Sequence, residues 1–115
     1  MHARGTFTVS DWTERDWQPP IETAASVGQA TMIKTFTGEI TGRAATLFVG
    51  ALNTDSGAGS YVAMEAFEGS IAGRSGTINF LHTASTRGSD RYDEKLAIVP
   101  DSGTADLAGV TGTGA

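Results

Sequence analysis

The sequence predicts an all-β fold, a small antiparallel β-barrel, from period-two alternation of polar and apolar residues, abundant glycine and weak helical signals. Side chains of a strand point to alternate faces, so this alternation indicates half-buried strands. Fifteen of the 115 residues are glycine and three are proline, and the hydrophobic fraction of 39% is too high for a disordered chain. The length predicts one domain over residues 1–115.

The alternation defines strands in order along the chain. Residues 6–10 and 29–37 alternate cleanly. Residues 44–52 are nearly all apolar, which leaves a helix open by composition, but the bounding glycines together with Thr46 and Phe48 favour a strand. The remaining predicted strands are residues 60–67, 77–82 and 95–99.

Turn and loop signals separate these strands. Residues 53–59 form a cluster that tolerates positive φ or bonds its own backbone, and the stretch 100–103 ends the last predicted strand. Residues 83–93 are polar and predict a loop. Only residues 20–25 have the composition for a turn or two of helix.

A short glycine-bounded repeat accompanies the strands. Residues 38–43, Gly-Glu-Ile-Thr-Gly-Arg, recur at 69–74 as Gly-Ser-Ile-Ala-Gly-Arg, with a looser copy at 105–109. Glycine permits the bulge or sharp bend with which a sheet turns a barrel corner. The alternative, a loop that holds phosphate, needs a helix after the glycines, and no helix is predicted after either full copy.

Charge and composition argue against several classes of protein. The net charge is −5 and the eight Lys and Arg residues are scattered, whereas nucleic-acid binding needs a basic stripe. Cysteine is absent, so thiol chemistry is excluded. Residues 1–10 carry no apolar core like that of a secretory signal, and no apolar run reaches membrane-helix length. We therefore expect a cytoplasmic protein without nucleic-acid or membrane partners.

Several short motifs in a fixed order point to a family. The segments 5–9, 34–38, 73–77, 99–104 and 107–109, with Trp12 after the first, resemble a bacterial family of domains of unknown function, number 3224. The resemblance implies a small antiparallel barrel like that of allene oxide cyclase, and it implies no catalytic residue. Family members continue past the Gly-x-Gly segment into another strand, whereas this sequence stops at residues 112–115. The resemblance therefore predicts incomplete closure at the C-terminus. The edge is then closed by the N-terminal segment or by a second copy in a homo-oligomer.

Three ionisable side chains share faces with apolar residues of the predicted strands. Glu65 alternates with Tyr61 and Phe67, His82 shares a face with Phe80, and Lys34 lies on an apolar face of its own strand. Burial in a barrel shifts the pKa of such groups and suits them to binding or proton transfer. Alternatively, Glu65 and Lys34 neutralise each other, and His82 is a rim residue. The candidate ligand-binding residues are Lys34, Tyr61, Glu65, Phe67, Phe80 and His82.

The function predicted from these features is binding of a small apolar molecule inside the barrel. Two alternatives are an isomerase or cyclase of the allene oxide cyclase type, which is an analogy of fold alone, and a non-catalytic oligomerising module. Trp12 and Trp17 lie near the N-terminus, where they can plug a barrel mouth or stack on a ligand. The histidines, His2 and His82, are far apart in sequence, so we expect no metal site, and no cofactor is predicted.

Overall fold

A computed structural model describes residues 2–114 as one antiparallel sheet of seven strands with a single turn of 3₁₀-helix. The strands are β1 (Gly5–Arg15), β2 (Ser26–Gly38), β3 (Ile40–Asn53), β4 (Ala58–Ile71), β5 (Arg74–Arg87), β6 (Asp90–Ile98) and β7 (Thr113–Gly114), and the 3₁₀ turn is Ala105–Leu107. The predicted all-β antiparallel class is confirmed. No helix within the described residues is long and apolar enough to cross a membrane.

Each strand pairs with its neighbour in sequence, in the order β1 to β7. The sheet curls. Evidence for the curl is that the rings of Phe36 on β2 and Phe80 on β5 lie 6.2 Å apart. In a flat sheet these strands would be about 14 Å apart. The curl does not close: β7 pairs with β6 at two positions only, and within residues 2–114 it does not pair with β1. The predicted incomplete closure is confirmed.

Two local predictions are wrong. Residues 20–25 form bends and irregular chain rather than helix, and the segment 83–93 belongs to two strands joined by a turn at residues 88–89 instead of a loop. β5 continues to Arg87 and β6 begins at Asp90, with a register shift where Thr83 and Ser85 face β6. Polar side chains suit this region because β6 lies near the open edge of the sheet, where exposed side chains are the rule.

Glycines of the repeat allow two close approaches of the backbone. Gly42 on β3 faces Gly69 on β4, and both have φ near +150° (144° and 151°). A Cβ at either position would lie 2.1 Å from a carbonyl oxygen of the other strand. At the turn between β4 and β5, Ala72 and Gly73 both have positive φ, as a two-residue hairpin turn of the favoured twist requires. The second copy of the repeat therefore contains a bend within a strand and a hairpin turn.

The hydrophobic core fills one end of the curled sheet. Its buried members are Ala44, Phe67, Ile71, Ile78, Phe80 and Leu107. Leu107, from the 3₁₀ turn, is completely buried and covers this end, and Phe36 packs against the group from β2. We call this the packed end. The opposite end, around Phe48 and Tyr61, is hollow and contains the candidate site.

The outer face of the sheet also carries apolar side chains. Leu47 faces Met64 and Val49 faces Val62 across β3 and β4, and all four are exposed. Nearby, the exposed side chains of Arg43 and Glu68 form an ion pair of 2.7 Å. Charge on this face is therefore locally balanced.

Candidate functional site

The hollow end encloses a cavity of about 860 Å³ that opens to solvent. Aromatic side chains follow one another along its wall: the ring of Phe48 lies 5.3 Å from Trp12 and 5.1 Å from Tyr61, and Tyr61 lies 5.4 Å from His82. Trp17 lines the cavity too, so both tryptophans of the chain border it. Aromatic walls of this kind bind apolar and planar molecules with little cost in side-chain entropy.

A buried ion pair separates the hollow end from the packed end. Nζ of Lys34 lies 2.9 Å from Oε1 of Glu65, and the two residues are only 4% and 1% exposed. The hydroxyl of Thr46 donates a second bond of 2.8 Å to the same oxygen. The Lys34 ammonium also lies 4.6 Å from the ring centroid of Phe7. Each of the two charges thus has a partner of opposite sign within the protein.

A second group of charges lies across the interior on β5 and β6. His82, 6% exposed, bonds through Nε2 to Oε2 of Glu94 at 3.0 Å, and Arg91 donates to the same oxygen at 3.0 Å. Adjacent strands β2 to β6 thus contribute one inward polar side chain each: Lys34, Thr46, Glu65, His82 and Glu94. We call this set the polar row. Within the described chain, no three His, Asp or Glu side chains are grouped to hold a metal ion.

Two groups at the site have shifted pKa values. The hydrogen bond from His82 lowers the pKa of Glu94 below its ordinary 4.5, and burial opposes this while Arg91 adds to it. Burial raises the pKa of Tyr61 above 10.0, against the nearby charge of Arg91. At neutral pH Glu94 is therefore an ionised acceptor and Tyr61 a neutral hydroxyl donor.

The lowered pKa of Glu94 predicts that this carboxylate stabilises the folded protein at neutral pH and that the stabilisation is lost in acid. A folded-state pKa below the unfolded value stabilises the fold above about pH 4.5, and that contribution is lost as pH falls through the lower folded value. We expect Glu94→Gln to lower the free energy of unfolding at neutral pH by no more than about 1 kcal/mol, since the carboxylate is partly exposed. Urea unfolding of both proteins from neutral pH to about pH 3 measures the difference. If the two proteins differed equally in free energy of unfolding at neutral pH and at about pH 3, the lowered pKa of Glu94 would be contradicted.

A second cavity, of about 1040 Å³, follows the open seam between β1 and the β6–β7 side of the sheet. Lys34, His82 and Arg91 border both cavities, so the polar row lies where the two meet. Glu65 also lines the seam cavity. Its contacts with Lys34 and Thr46 both end on Oε1. Because a carboxylate has about four acceptor sites, Glu65 keeps capacity to accept a further bond at the wall of the seam cavity.

The comparisons with known proteins concern the whole chain. A family model described as "Protein of unknown function (DUF3224)" matches residues 3–115. The chain belongs to the DUF3224 family. The crystal structure of a DUF3224 protein of unknown function from Shewanella oneidensis MR-1 is similar, with 26% identity and a TM-score of 0.83 over 99% of this chain and 86% of the other. No curated protein matches the chain.

Two of the motifs that indicated the DUF3224 family stabilise the packed end. Thr77, from the motif 73–77, lies 2.6 Å through its hydroxyl from the hydroxyl of Thr104, from the motif 99–104. In the second of these motifs, the hydroxyl of Ser102 accepts a bond from the Asn79 backbone. These contacts hold the chain after β6 against β5. The family resemblance therefore identified the fold and left the site to be found from the strand faces.

The structure places five of the six candidate residues at the two cavities and the sixth, Phe67, in the core. Lys34, Tyr61 and His82 line the first cavity, and Lys34, Glu65, Phe80 and His82 line the second. Phe67 is part of the packed core, in contact with Phe36 and Phe80. His82 is buried rather than at a rim, because β5 continues for five residues beyond it.

Sequence reasoning missed several residues of the site. Thr46 lies in a strand that appeared almost uniformly apolar, and its position opposite Glu65 follows from strand register. Arg91 lies in the segment predicted as a loop, and Glu94 lies between that segment and the next predicted strand. Phe48 was used only as evidence for a strand, although its place in the alternation of β3, on the face of Thr46, would have put it in the interior.

Proposed function

We propose that this DUF3224 protein binds a small, largely apolar molecule in the cavity at the hollow end of its curled sheet. The observation that carries the proposal is an open, aromatic-lined space of about 860 Å³ that ends at a set of buried polar groups. Binding sites for small molecules typically combine an apolar wall with a few convergent polar atoms. The packed core occupies the other end, so stability does not require the hollow end to be filled.

Gly28 gives a way to test the proposal by filling the cavity. It lines the cavity, and a Cβ built on it meets no atom within 4 Å. We expect Gly28→Phe to weaken binding of N-phenyl-1-naphthylamine, a neutral apolar fluorophore, by at least roughly tenfold. Because Trp12 and Trp17 both border the cavity, quenching of intrinsic fluorescence reports occupancy directly.

A matched control separates cavity filling from a general effect of added aromatic surface. Thr35 is exposed on the same strand and lines neither cavity, so Thr35→Phe should keep the affinity of the unsubstituted protein. Equal binding by Gly28→Phe and Thr35→Phe would place the fluorophore elsewhere. Failure of the unsubstituted protein to bind it would contradict the proposed function.

An isomerase or cyclase of the allene oxide cyclase type is the alternative, favoured by one observation. The Glu65 carboxylate is 1% exposed and lines the seam cavity, a position suited to taking a proton from a bound molecule or returning one. The test is to incubate the protein with ligand extracted from it and to measure conversion of that ligand by mass spectrometry. Glu65→Gln abolishes conversion and keeps affinity if the carboxylate reacts, and unchanged conversion removes it from any mechanism.

We also propose self-association through the open edge. The outer edge of β1 is unpaired among the described strands, and Phe7 and Val9 beside it are exposed. An edge of this kind is a template for a strand of another copy. The register shift between Ser10 and Thr13 interrupts the edge, so pairing is restricted to one side of it. Light scattering over a range of concentrations tests this, and a monomer throughout would contradict it.

A further inference from the structure

We propose that the ligand is electrically neutral and carries, at its polar end, both a hydrogen-bond donor and an acceptor, as a primary amide or a hydroxy ketone does. The proposal rests on the proposed function, since it assigns the chemical class of the molecule in that cavity. It is carried by the charge balance of the polar row and by the atoms of that row that remain free to bond.

The buried cation Lys34 and the half-exposed cation Arg91 are each already paired with a carboxylate. Lys34 contacts Glu65 at 2.9 Å, and Arg91 contacts Glu94 at 3.0 Å. His82 bonds to the same oxygen of Glu94 that Arg91 contacts. A carboxylate ligand would enter a low-dielectric space in which each of these cations already has an anionic partner. Its desolvation would then be poorly compensated.

The charges at the two cavity mouths do not change this balance. Glu14, Arg15 and Asp16 border the first cavity, and His2 and Arg4 border the second. All five residues are exposed, so water and salt screen them. They influence approach of a ligand more than its binding in the interior.

Groups with remaining capacity to donate or accept lie where the two cavities meet. The Glu65 carboxylate lines the seam cavity and has about four acceptor sites, so a molecule in the hollow end reaches it only where its polar end meets the polar row. An ammonium has three N–H donors, and the salt bridge from Lys34 to Glu65 uses one. The Tyr61 hydroxyl, kept neutral by its raised pKa, adds a donor at the first cavity. A ligand group that both donates and accepts hydrogen bonds can bond to these side chains without bringing a charge into the cavity.

Two probes of equal length test the proposal. Octanamide and octanoate share an eight-carbon skeleton, and only octanoate is ionised at about pH 8. Each is titrated against the protein carrying bound N-phenyl-1-naphthylamine. We expect octanamide to displace the fluorophore with a Kd at least roughly tenfold lower than that of octanoate.

Variants that remove one carboxylate of the polar row should change the preference for octanamide over octanoate. Glu94→Gln leaves Arg91 and His82 without their carboxylate, and Glu65→Gln does the same to Lys34. Each should lower the Kd of octanoate relative to octanamide by roughly tenfold. Glu94 is partly exposed, so its variant remains testable if Glu65→Gln does not fold. Glu68→Gln is the matched control, because it breaks a carboxylate–arginine pair on the outer face and should leave the preference unchanged.

The outcomes separate this inference from the function on which it rests. Tighter binding of octanoate than octanamide, or no displacement by either, overturns the inference while fluorophore binding still supports the cavity. An unchanged preference in Glu94→Gln also overturns it. Absence of fluorophore binding overturns the proposed function itself.

Discussion

Replacing Lys34 by methionine is expected to lower the free energy of unfolding by about 3–5 kcal/mol, because it leaves the Glu65 carboxylate buried without its counter-charge. Glu65 is 1% exposed and keeps only the Thr46 hydroxyl as a partner in this variant. Urea unfolding followed by far-ultraviolet circular dichroism measures the change, since the sheet itself gives the signal. A loss under about 1 kcal/mol, typical of exposed pairs, would mean that water reaches the pair freely.

The double variant Lys34→Met with Glu65→Leu provides the control. Removing both charges also removes the desolvation cost of each, and apolar replacements of buried pairs are often neutral in stability. We therefore expect the double variant to regain most of the stability lost by Lys34→Met alone. A double variant as unstable as the single one would show that packing of the Lys34 side chain, rather than charge, is responsible.

Phe67→Ala is expected to destabilise the protein by a similar amount, about 3–5 kcal/mol. Phe67 is 1% exposed and its ring lies 5.2 Å from that of Phe80 and 5.6 Å from that of Phe36. Its removal leaves a void at the packed end, where Leu107 prevents water from entering freely. The same denaturation measurement detects the loss.

Leu47→Ala is the comparison for Phe67→Ala. Leu47 lies on the outer face and is exposed, so its truncation should change the free energy of unfolding by no more than about 0.5 kcal/mol. Equal losses in the two variants would contradict the assignment of the core to the inner face. A loss in Leu47→Ala that grows with protein concentration would instead indicate that another copy covers the outer face.

The sequence predicted the inner face of the sheet well, because alternation fixes which residues share a face before any contact is known. Glu65, Lys34 and Tyr61 lie on that face, and the neutralising contact between Lys34 and Glu65 was one of two interpretations that the residues left open. The fold class followed from the same pattern and from the glycines.

What the sequence did not predict depends on register and on contacts between distant segments. β5 and β6 pair through a segment whose polarity indicated a loop, and the pairing of His82 with Leu96 puts Glu94, two residues along the same face, within bonding distance of His82. Leu107 lies in a glycine-rich stretch without periodicity, so its role in covering the packed end had no local signal. Both features arise from pairing and packing, which a single sequence does not specify residue by residue.

The order of the strands has a consequence for how the chain acquires its structure. Every strand pairs only with the strands before and after it in sequence, so no step requires the two termini to find each other. The β4–β5 hairpin, paired from Ala58 to Arg87 around a two-residue turn, is a natural nucleus. Further strands can then be added outward on both sides. Sequential addition of this kind keeps loop-closure entropy low at each step and favours rapid folding for an all-β protein.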